Sequence, residues 1–248
     1  ANTDRDSYYG PGNDPLKAYG KTTDLTAMGG AQYVHTFDKC FFMPSDLTAG
    51  LEYNRDRLKD NMWGYDRHTD QTVNIYSAFL QNEWKNDRWG ILIGGRLDKH
   101  NMVDNVIFSP RANLRFNPTQ NINLRLSYSS GFRAPQAFDE DMHIENVGGT
   151  VAMIERAKNL KEEKSQSFSA SADMYHRFGV FQTNFLIEGF YTRLTDVFVL
   201  GEPYDRGDGI LVKTRSNGPG AKVMGLTLEG KVAYLSILQI QAGLSLHR

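Results

Sequence analysis

Cysteine, long apolar runs and net charge are all scarce in this sequence. Of its 248 residues only Cys40 is a cysteine, so neither an internal disulfide nor a thiolate metal cluster can form. No stretch of about 18 apolar residues is present, which excludes a membrane-spanning helix. The formal net charge of −1 leaves no electrostatic argument for nucleic-acid binding. Gly218-Pro219-Gly220 is not followed by the Gly-Lys-Ser/Thr of a phosphate loop.

The strongest positive signal is an alternation of apolar and polar residues with a period of two. The clearest segment alternates Ile122, Leu124, Leu126 and Tyr128 with Asn121, Asn123, Arg125 and Ser127. The pattern recurs in about ten segments, several near the ~9–11 residues with which a tilted strand crosses a bilayer. It predicts an all-β fold, an antiparallel up-and-down transmembrane β-barrel. In it Leu124, Leu126, Ile91, Ile93, Leu238 and Ile240 point away from Arg125, Arg96 and Gln239.

The lengths of the predicted connections alternate along the chain. Short turns are predicted at 38–46, 85–88, 117–120, 176–179 and 234–237, and longer loops at 60–71, 99–107, 135–163 and 200–209. An outer-membrane barrel has short turns on one side and long loops on the other, whereas a soluble sandwich has no reason to sort them. Aromatic residues flank the short turns, as in a membrane-interface girdle, although aromatics also favour strands in general.

Four segments depart from simple alternation. Residues 1–23 are polar and turn-rich and predict a loop. The strand at 72–84 has apolar residues on both sides, so its faces stay unassigned. Residues 151–160 have helical spacing and predict a short helix within the longest loop. Residues 217–220, Asn-Gly-Pro-Gly, predict a bulge or kink in the strand region 210–234.

The candidate binding residues lie in two predicted loops. An aromatic patch comprises Trp63, Tyr65 and His68, and an acidic group around a histidine comprises Asp139, Glu140, Asp141, His143 and Glu145. Aromatic rings suit stacking on a bulky ligand, and the acidic group suits a cation or a metal chelate. The alternatives stay open: loops also pack on their own side chains, and charge runs are usually solvated. The six histidines form no spaced metal pair, so no metal site and no cofactor is predicted.

Five motifs occur in an order that resembles one known family. They are Gln81-Asn-Glu-Trp84, Gly94-Gly-Arg-Leu-Asp98, the stretch from Ser127 to Gly149, Asn159-Leu-Lys-Glu-Glu-Lys-Ser165 and Val223-Met-Gly-Leu-Thr-Leu-Glu229. The set resembles the barrel of TonB-dependent outer-membrane receptors, with Glu162 where that family prefers proline. The resemblance implies a 22-stranded barrel with an N-terminal plug. Residues 1–248 would then be a partial β-barrel domain, with the plug and the remaining strands absent.

The resemblance also implies a function in transport. The implied protein is not an enzyme but a bacterial outer-membrane receptor that binds a bulky, scarce nutrient of the iron–siderophore, haem or cobalamin type. Its partners would be outer-membrane lipid, the ligand and, through the plug, the TonB complex. The inward charges, such as Arg96, Arg125 and Asp98, are then expected to line the lumen rather than perform acid–base chemistry. The alternatives are a small complete outer-membrane barrel enzyme of protease or acyl-transfer type and, more distantly, a soluble carbohydrate-binding sandwich.

Overall fold

The fold is built almost entirely from strands. A computed structural model describes residues 1–8, 19–63, 67–136, 145–147, 150–207, 211–235 and 237–248. The strands are β1 (Asn2–Tyr8), β2 (Tyr19–Cys40), β3 (Met43–Met62), β4 (Arg67–Lys85), β5 (Trp89–His100), β6 (Ile107–Thr119), β7 (Ile122–Arg133), β8 (Glu145–Val147), β9 (Thr150–Arg156), β10 (Glu163–Phe178), β11 (Phe181–Thr195), β12 (Phe198–Leu200), β13 (Tyr204–Asp205), β14 (Leu211–Asn217), β15 (Ala221–Tyr234) and β16 (Leu238–His247). Within these ranges there is no helix long and apolar enough to cross a membrane.

Eleven strands form one main sheet in the order β1-β2-β3-β4-β5-β6-β7-β10-β11-β15-β16, and every adjacent pair is antiparallel. Five tight turns connect β2 to β3, β4 to β5, β6 to β7, β10 to β11 and β15 to β16 at one end of the sheet, the turn end. The connections at the opposite end, the loop end, carry the remaining strands β8, β9, β12, β13 and β14. The predicted up-and-down antiparallel sheet with alternating loop lengths is therefore confirmed.

The two faces of the main sheet have unlike chemistry. Leu126 pairs directly with Leu114 on one side and Ala170 on the other, whereas Arg125 pairs with Arg115 and Ser171. Because direct partners share a face and neighbours along a strand alternate, Leu126 lies on an apolar face and Arg125 on a polar face. Leu126 is 54% exposed, so this apolar face is not covered by the chain itself. The predicted separation of leucine and isoleucine from arginine and glutamine is confirmed.

The faces of β4, which the sequence leaves unassigned, follow from its register. Leu80 pairs with Gly95 on the apolar face, and Phe79 pairs with Gly50 and Arg96 on the polar face. The Phe79 ring occupies the space that a side chain at Gly50 would fill. A large apolar residue therefore sits on the polar face because its neighbour is a glycine, and this disturbs the alternation.

Aromatic rings gather at the turn end. Trp89 stacks on Phe116 across β5 and β6, with ring centroids 4.2 Å apart, and Trp84 stacks on Phe42 at 5.6 Å. The indole N–H of Trp84 donates to the backbone oxygen of Cys40 at 3.0 Å. These contacts tie the turns to neighbouring strands and place amphipathic rings along one rim of the sheet.

Several local predictions are wrong, and each error concerns the loop end. Of the predicted loop at 1–23, residues 2–8 form β1 and pair with the start of β2, whereas residues 9–18 lie outside the described residues. The predicted loop at 60–71 is the end of a strand hairpin, in which Lys59 pairs with Asp70. The described parts of both segments are mostly polar, so they show little alternation even though they are strands.

The predicted helix at 151–160 and the predicted bulge at 217–220 are also wrong. Residues Thr150–Arg156 form β9, whose parallel pairing with β14 outweighs the local helical spacing. Residues 217–220 mark the passage of the chain from β14 in one sheet to β15 in the other. Both features depend on the pairing of strands that are far apart in sequence, so local sequence patterns do not predict them.

The remaining strands form a small sheet in the order β12-β14-β9-β8, with β13 pairing β14. At its centre Met153 and Val212 are direct cross-strand partners, and both side chains are buried. Asn217 joins the two loops that supply it, because its side chain accepts from the Lys161 N–H at 2.8 Å and donates to the Asp196 carbonyl at 2.7 Å. The small sheet is therefore one unit made from two long loops.

Candidate functional site: a basic cleft at the loop end

The small sheet lies against the polar face of the main sheet at the loop end. The Arg156 Nη1 atom of β9 donates to the Gln71 side-chain oxygen of β4 at 3.0 Å and to the Pro135 carbonyl at 2.9 Å. Gln71 is buried, as are Leu58 and Val73, which lie on the same face of the main sheet. Arg156 thus fixes the small sheet over the ends of β3 and β4.

A cavity of about 590 Å³ opens between the start of β4 and the small sheet, and we call it the basic cleft. Positive charge predominates in its lining, which includes four cationic side chains and one carboxylate: Arg67, Arg156, Lys158, Arg206 and Glu155. The other lining residues are His68, Thr69, Met102, Pro135, Met153, Ile154, Ala157 and Leu160. The lining of the cleft therefore combines more cationic than anionic side chains with a few apolar surfaces, and this combination suits an anion with an organic framework.

Arg67 is held in place by a buried carboxylate. Its Nη2 atom lies 2.8 Å from Asp60 Oδ2, and the Thr22 hydroxyl donates to Asp60 Oδ1 at 2.7 Å. Asp60 and Thr22 are both buried, so this chain of contacts joins β2, β3 and β4 away from water. It orders the wall of the cleft on which Arg67 stands.

His100 anchors the floor beside the cleft. The Met102 backbone N–H donates to His100 Nδ1 at 3.0 Å, so the proton resides on Nε2, which faces the Gln136 side-chain oxygen at 3.3 Å. Burial lowers the pKa of His100, against the opposing effects of the Gln136 hydrogen bond and the Asp98 charge. His100 is therefore a neutral imidazole that connects β5 to the first residues of the longest loop.

Of the predicted aromatic patch, one residue lines the cleft. His68 lines the cleft, and its Nδ1 atom lies 3.0 Å from the Asn61 side-chain oxygen. Trp63 is 51% exposed at the end of β3 and is not among the lining residues. Tyr65 lies outside the described residues.

Most of the predicted acidic group lies outside the described residues, namely Asp139, Glu140, Asp141 and His143. Glu145 belongs to β8 of the small sheet. In the described part of the chain, no three His, Cys, Asp or Glu side chains gather as a metal site. The proposed ligand role of the acidic group stays a prediction.

Sequence reasoning missed all four basic residues of the cleft: Arg67, Arg156, Lys158 and Arg206. Arg67 begins β4, Arg156 and Lys158 stand near the end of β9 in the stretch with helical spacing, and Arg206 stands in another loop. A local signal for Arg156 and Lys158 exists, since they are two cations in alternate positions of an otherwise mixed segment. Nothing local indicates that Arg206 joins them, because that depends on how the two loops assemble.

The fold is similar to that of several solved structures that are named as siderophore and iron receptors. The siderophore receptor PirA from Pseudomonas aeruginosa superposes with a TM-score of 0.75 at 17% identity, over 93% of this chain and 43% of PirA. The ferric enterobactin receptor PfeA of the same organism superposes with a TM-score of 0.75 at 19% identity, over 100% of this chain and 40% of PfeA. The iron transporter FrpB from Neisseria meningitidis gives a TM-score of 0.65 at 15% identity, over 93% of this chain and 36% of FrpB.

Sequence comparison identifies the family. Residues 1–246 match the family described as TonB dependent receptor-like, beta-barrel. The chain therefore belongs to the TonB-dependent receptor β-barrel family. It spans about two fifths of the length of the solved structures that it matches first. No curated protein sequence matches it significantly.

Proposed function

We propose that this chain forms part of the wall of an outer-membrane receptor that binds an anionic metal chelate and imports it with TonB-coupled energy. The observation that carries the proposal is the basic cleft, in which cationic side chains of two long loops converge over the polar face. Family membership supports the receptor role. The similar solved structures are named as siderophore, ferric enterobactin and iron receptors, which supports an iron–siderophore ligand.

The proposed orientation follows from the two ends of the sheet. Short turns face the periplasm and long loops face the outside in outer-membrane barrels, so the basic cleft opens toward arriving ligand. The apolar face then contacts outer-membrane lipid, and the polar face lines the lumen. The domain proposal is that further strands and a plug complete the barrel and that the plug contacts TonB.

The size and charge of the cleft favour a particular ligand class. A volume of about 590 Å³ is in the range of small-molecule pockets and suits one lobe of a bulky chelate. Ferric catecholates carry net negative charge and planar rings, so they match cationic side chains beside Met102 and Pro135. The positive field also raises the association rate of an anion, and salt reduces this effect.

A charge reversal at Lys158 tests this function in the full-length receptor. Lys158 is exposed within the cleft, so Lys158→Glu should weaken ferric enterobactin binding about tenfold, roughly 1.4 kcal/mol, because it exchanges an attraction for a repulsion. The matched control is Lys161→Glu, an exposed cation of the same loop that does not line the cleft. Equal binding by both variants and the parent would overturn the role of the cleft.

Deletion of residues 138–158 tests the contribution of the longest loop. The deletion removes β8 and β9, and with them the Arg156 contacts to Gln71 and Pro135. We expect ligand binding to fall while the barrel still assembles, because the strands of the main sheet are untouched. Heat-modifiable migration on a gel reports assembly, and unchanged ligand affinity would count against the proposal.

The transport reading is favoured over the outer-membrane enzyme by family membership. Iron-limited growth discriminates them in one assay. A strain whose own ferric enterobactin receptors are deleted should grow on that chelate only when it carries this receptor together with TonB.

A further inference from the structure

His100 is a fully buried side chain that holds part of the wall of the basic cleft. It ends β5 at the loop end of the sheet, and its side chain is 0% exposed. Met102, two residues further on, lines the cleft, and its backbone N–H donates to His100 Nδ1 at 3.0 Å. A residue of the cleft wall is therefore held by a ring nitrogen whose role as acceptor ends when it binds a proton.

Protonation of His100 would change only one of its two ring contacts. Nε2 faces the Gln136 side-chain oxygen at 3.3 Å, and this contact suits the charged ring as well as the neutral ring because Nε2 is a donor in both. Nδ1 accepts in the neutral ring but is a donor in the charged ring, where it would face the Met102 N–H, which is also a donor. Two donors cannot share this contact, so the Met102 N–H must turn away when the ring is charged.

The residues on both sides of Met102 are anchored. Asn101 is fixed to β4, because its backbone N–H donates to the Asn74 carbonyl at 3.1 Å and its side-chain oxygen accepts from the Asn74 N–H at 2.9 Å. The Val103 carbonyl accepts from Lys99 Nζ at 3.1 Å. A change at His100 Nδ1 therefore displaces Met102 from the cleft wall and leaves the rest of the turn in place.

The surroundings of His100 keep its ring neutral near pH 7. Burial lowers the pKa of His100, against the opposing effects of the Gln136 hydrogen bond and the Asp98 charge. The residues of β4 that lie nearest on this face are the uncharged Val73, Ile75 and Ser77. The charged residues on the other elements around it are Arg96 and Asp98 of β5, Asp56 of β3, Glu155 and Arg156 of β9 and Asp104 of the adjoining turn. Protonation in the folded protein therefore requires a pH below about 6.5.

We propose that His100 is a positioning residue for Met102 and that protonation of its ring weakens anion binding in the basic cleft. With a neutral ring, Met102 is held where its side chain offers an apolar contact beside the cationic side chains. When Nδ1 takes a proton from solvent, this contact is lost and the contact with Gln136 remains. By linkage, a bound ligand keeps His100 neutral. The inference rests on the proposed chelate-binding function of the cleft and adds its dependence on pH.

The test measures ferric enterobactin binding by the full-length receptor from pH 8 to pH 5. Below about pH 6.5 the parent should bind progressively more weakly than His100→Asn and level off at about a fivefold difference, because a partly buried apolar contact is lost. In His100→Asn the side-chain oxygen takes the place of Nδ1 as acceptor and binds no proton in this range. Comparison of the two proteins at equal pH removes the titration of the chelate itself.

Two further variants identify the residues through which the pH acts. Met102→Ala should bind more weakly at pH 8 and should follow the pH profile of His100→Asn, because it has no Met102 contact to lose. His68→Gln removes the other histidine that lines the cleft, and the shape of its pH profile should match that of the parent. The same profile in His100→Asn and the parent, or a pH effect that disappears in His68→Gln, would overturn the proposal.

Amide hydrogen exchange of residues 99–106 without ligand separates a failure of this inference from a failure of the chelate site. After correction for the intrinsic effect of pH, the parent should lose protection at Met102 below about pH 6.5, and His100→Asn should keep it. Equal protection in both proteins would overturn the inference even if the chelate binds. Loss of protection in the parent alone would support it even if ferric enterobactin is not the ligand.

Discussion

Replacing Arg96 by methionine should lower the free energy of unfolding more than any substitution of a nearby surface residue. Arg96 Nε lies 2.7 Å from Asp98 Oδ1, and Arg96 Nη2 lies 2.9 Å from Glu52 Oε1 and 2.7 Å from the Ser77 hydroxyl oxygen. The Ser77 hydroxyl donates to Asp98 Oδ1 at 2.6 Å. Three strands therefore share one guanidinium, and Asp98 beneath it is only 3% exposed.

The expected cost follows from what the substitution leaves behind. Asp98 keeps the Ser77 hydrogen bond but loses its cation. Breaking a fully buried pair costs about 3–5 kcal/mol, and the 34% exposure of the Arg96 side chain places this pair at the lower end of that range. The Glu52 side chain is about one quarter exposed, so water solvates its carboxylate when Arg96 is removed. Loss of the Arg96–Glu52 ion pair therefore costs under 1 kcal/mol. Methionine also recovers some packing, which places the free-energy loss near 3 kcal/mol, at the lower end of that range.

The assay is urea unfolding of the full receptor in detergent, followed by tryptophan fluorescence. Arg96→Met/Asp98→Asn should be less destabilised than the two single losses predict, with a coupling of about 1–3 kcal/mol, because the stranded charge is gone. Arg125→Met is the control: this exposed residue faces Arg115, so its removal should change stability by no more than about 0.5 kcal/mol. A cost below about 1 kcal/mol for Arg96→Met, or simple additivity, would refute the argument.

Two further predictions concern the apolar face and the loop end. Leu126→Arg should cost about 2–4 kcal/mol in the membrane-embedded receptor, because it places a charge against lipid; reconstitution yields of Leu126→Arg and of the control Leu126→Ala measure this, and equal yields would contradict the face assignment. Because the folded-state pKa of His100 is lowered, the unfolded chain takes up the proton first as the pH falls. The stabilisation that depends on neutral His100 should therefore be complete above pH ~6.5 and should be lost as the pH falls toward the folded-state pKa. The loss should be at most about 1.4 kcal/mol per pH unit. Unfolding of the parent and of His100→Gln from pH 8 to pH 5 checks the sign, and an identical pH slope in both proteins would show that His100 is not the group responsible.

The strands of the main sheet were predictable because their pattern is local. The alternation of Leu124, Arg125 and Leu126 indicates which face of the sheet each side chain occupies without reference to the paired strands. Tight turns such as Phe178–Phe181 then pair strands that are adjacent in sequence. Gly179, with φ of 58°, supplies the left-handed residue of that turn. Local chemistry and neighbour pairing agree in most of these strands, with β4 the exception because Phe79 lies on its polar face.

Prediction failed where the partner of a residue is distant and its own surroundings are polar. β9 carries helical spacing, yet it is a strand because β14, about 60 residues further along, pairs with it in parallel. The same assembly brings Arg206 to Arg156 and Lys158 and so creates the basic cleft. Three of the predicted site residues lie in the described part of the chain, namely Trp63, His68 and Glu145, and of these His68 lines the cleft. It does so because the pairing of β4 with β3 extends through the segment that was expected to be a loop.

The sequence by itself therefore determined most of the main sheet, the two faces of its regularly alternating strands and its membership of a receptor family. Each of these depends on side-chain alternation and on turns between adjacent segments, which act over a few residues. Only the tertiary structure decided the small sheet, the face of Phe79 over Gly50 and the basic cleft at the loop end. These features depend on contacts between residues of separate loops or strands. Such contacts are stabilised by burial and strand pairing that form only when the distant segments come together.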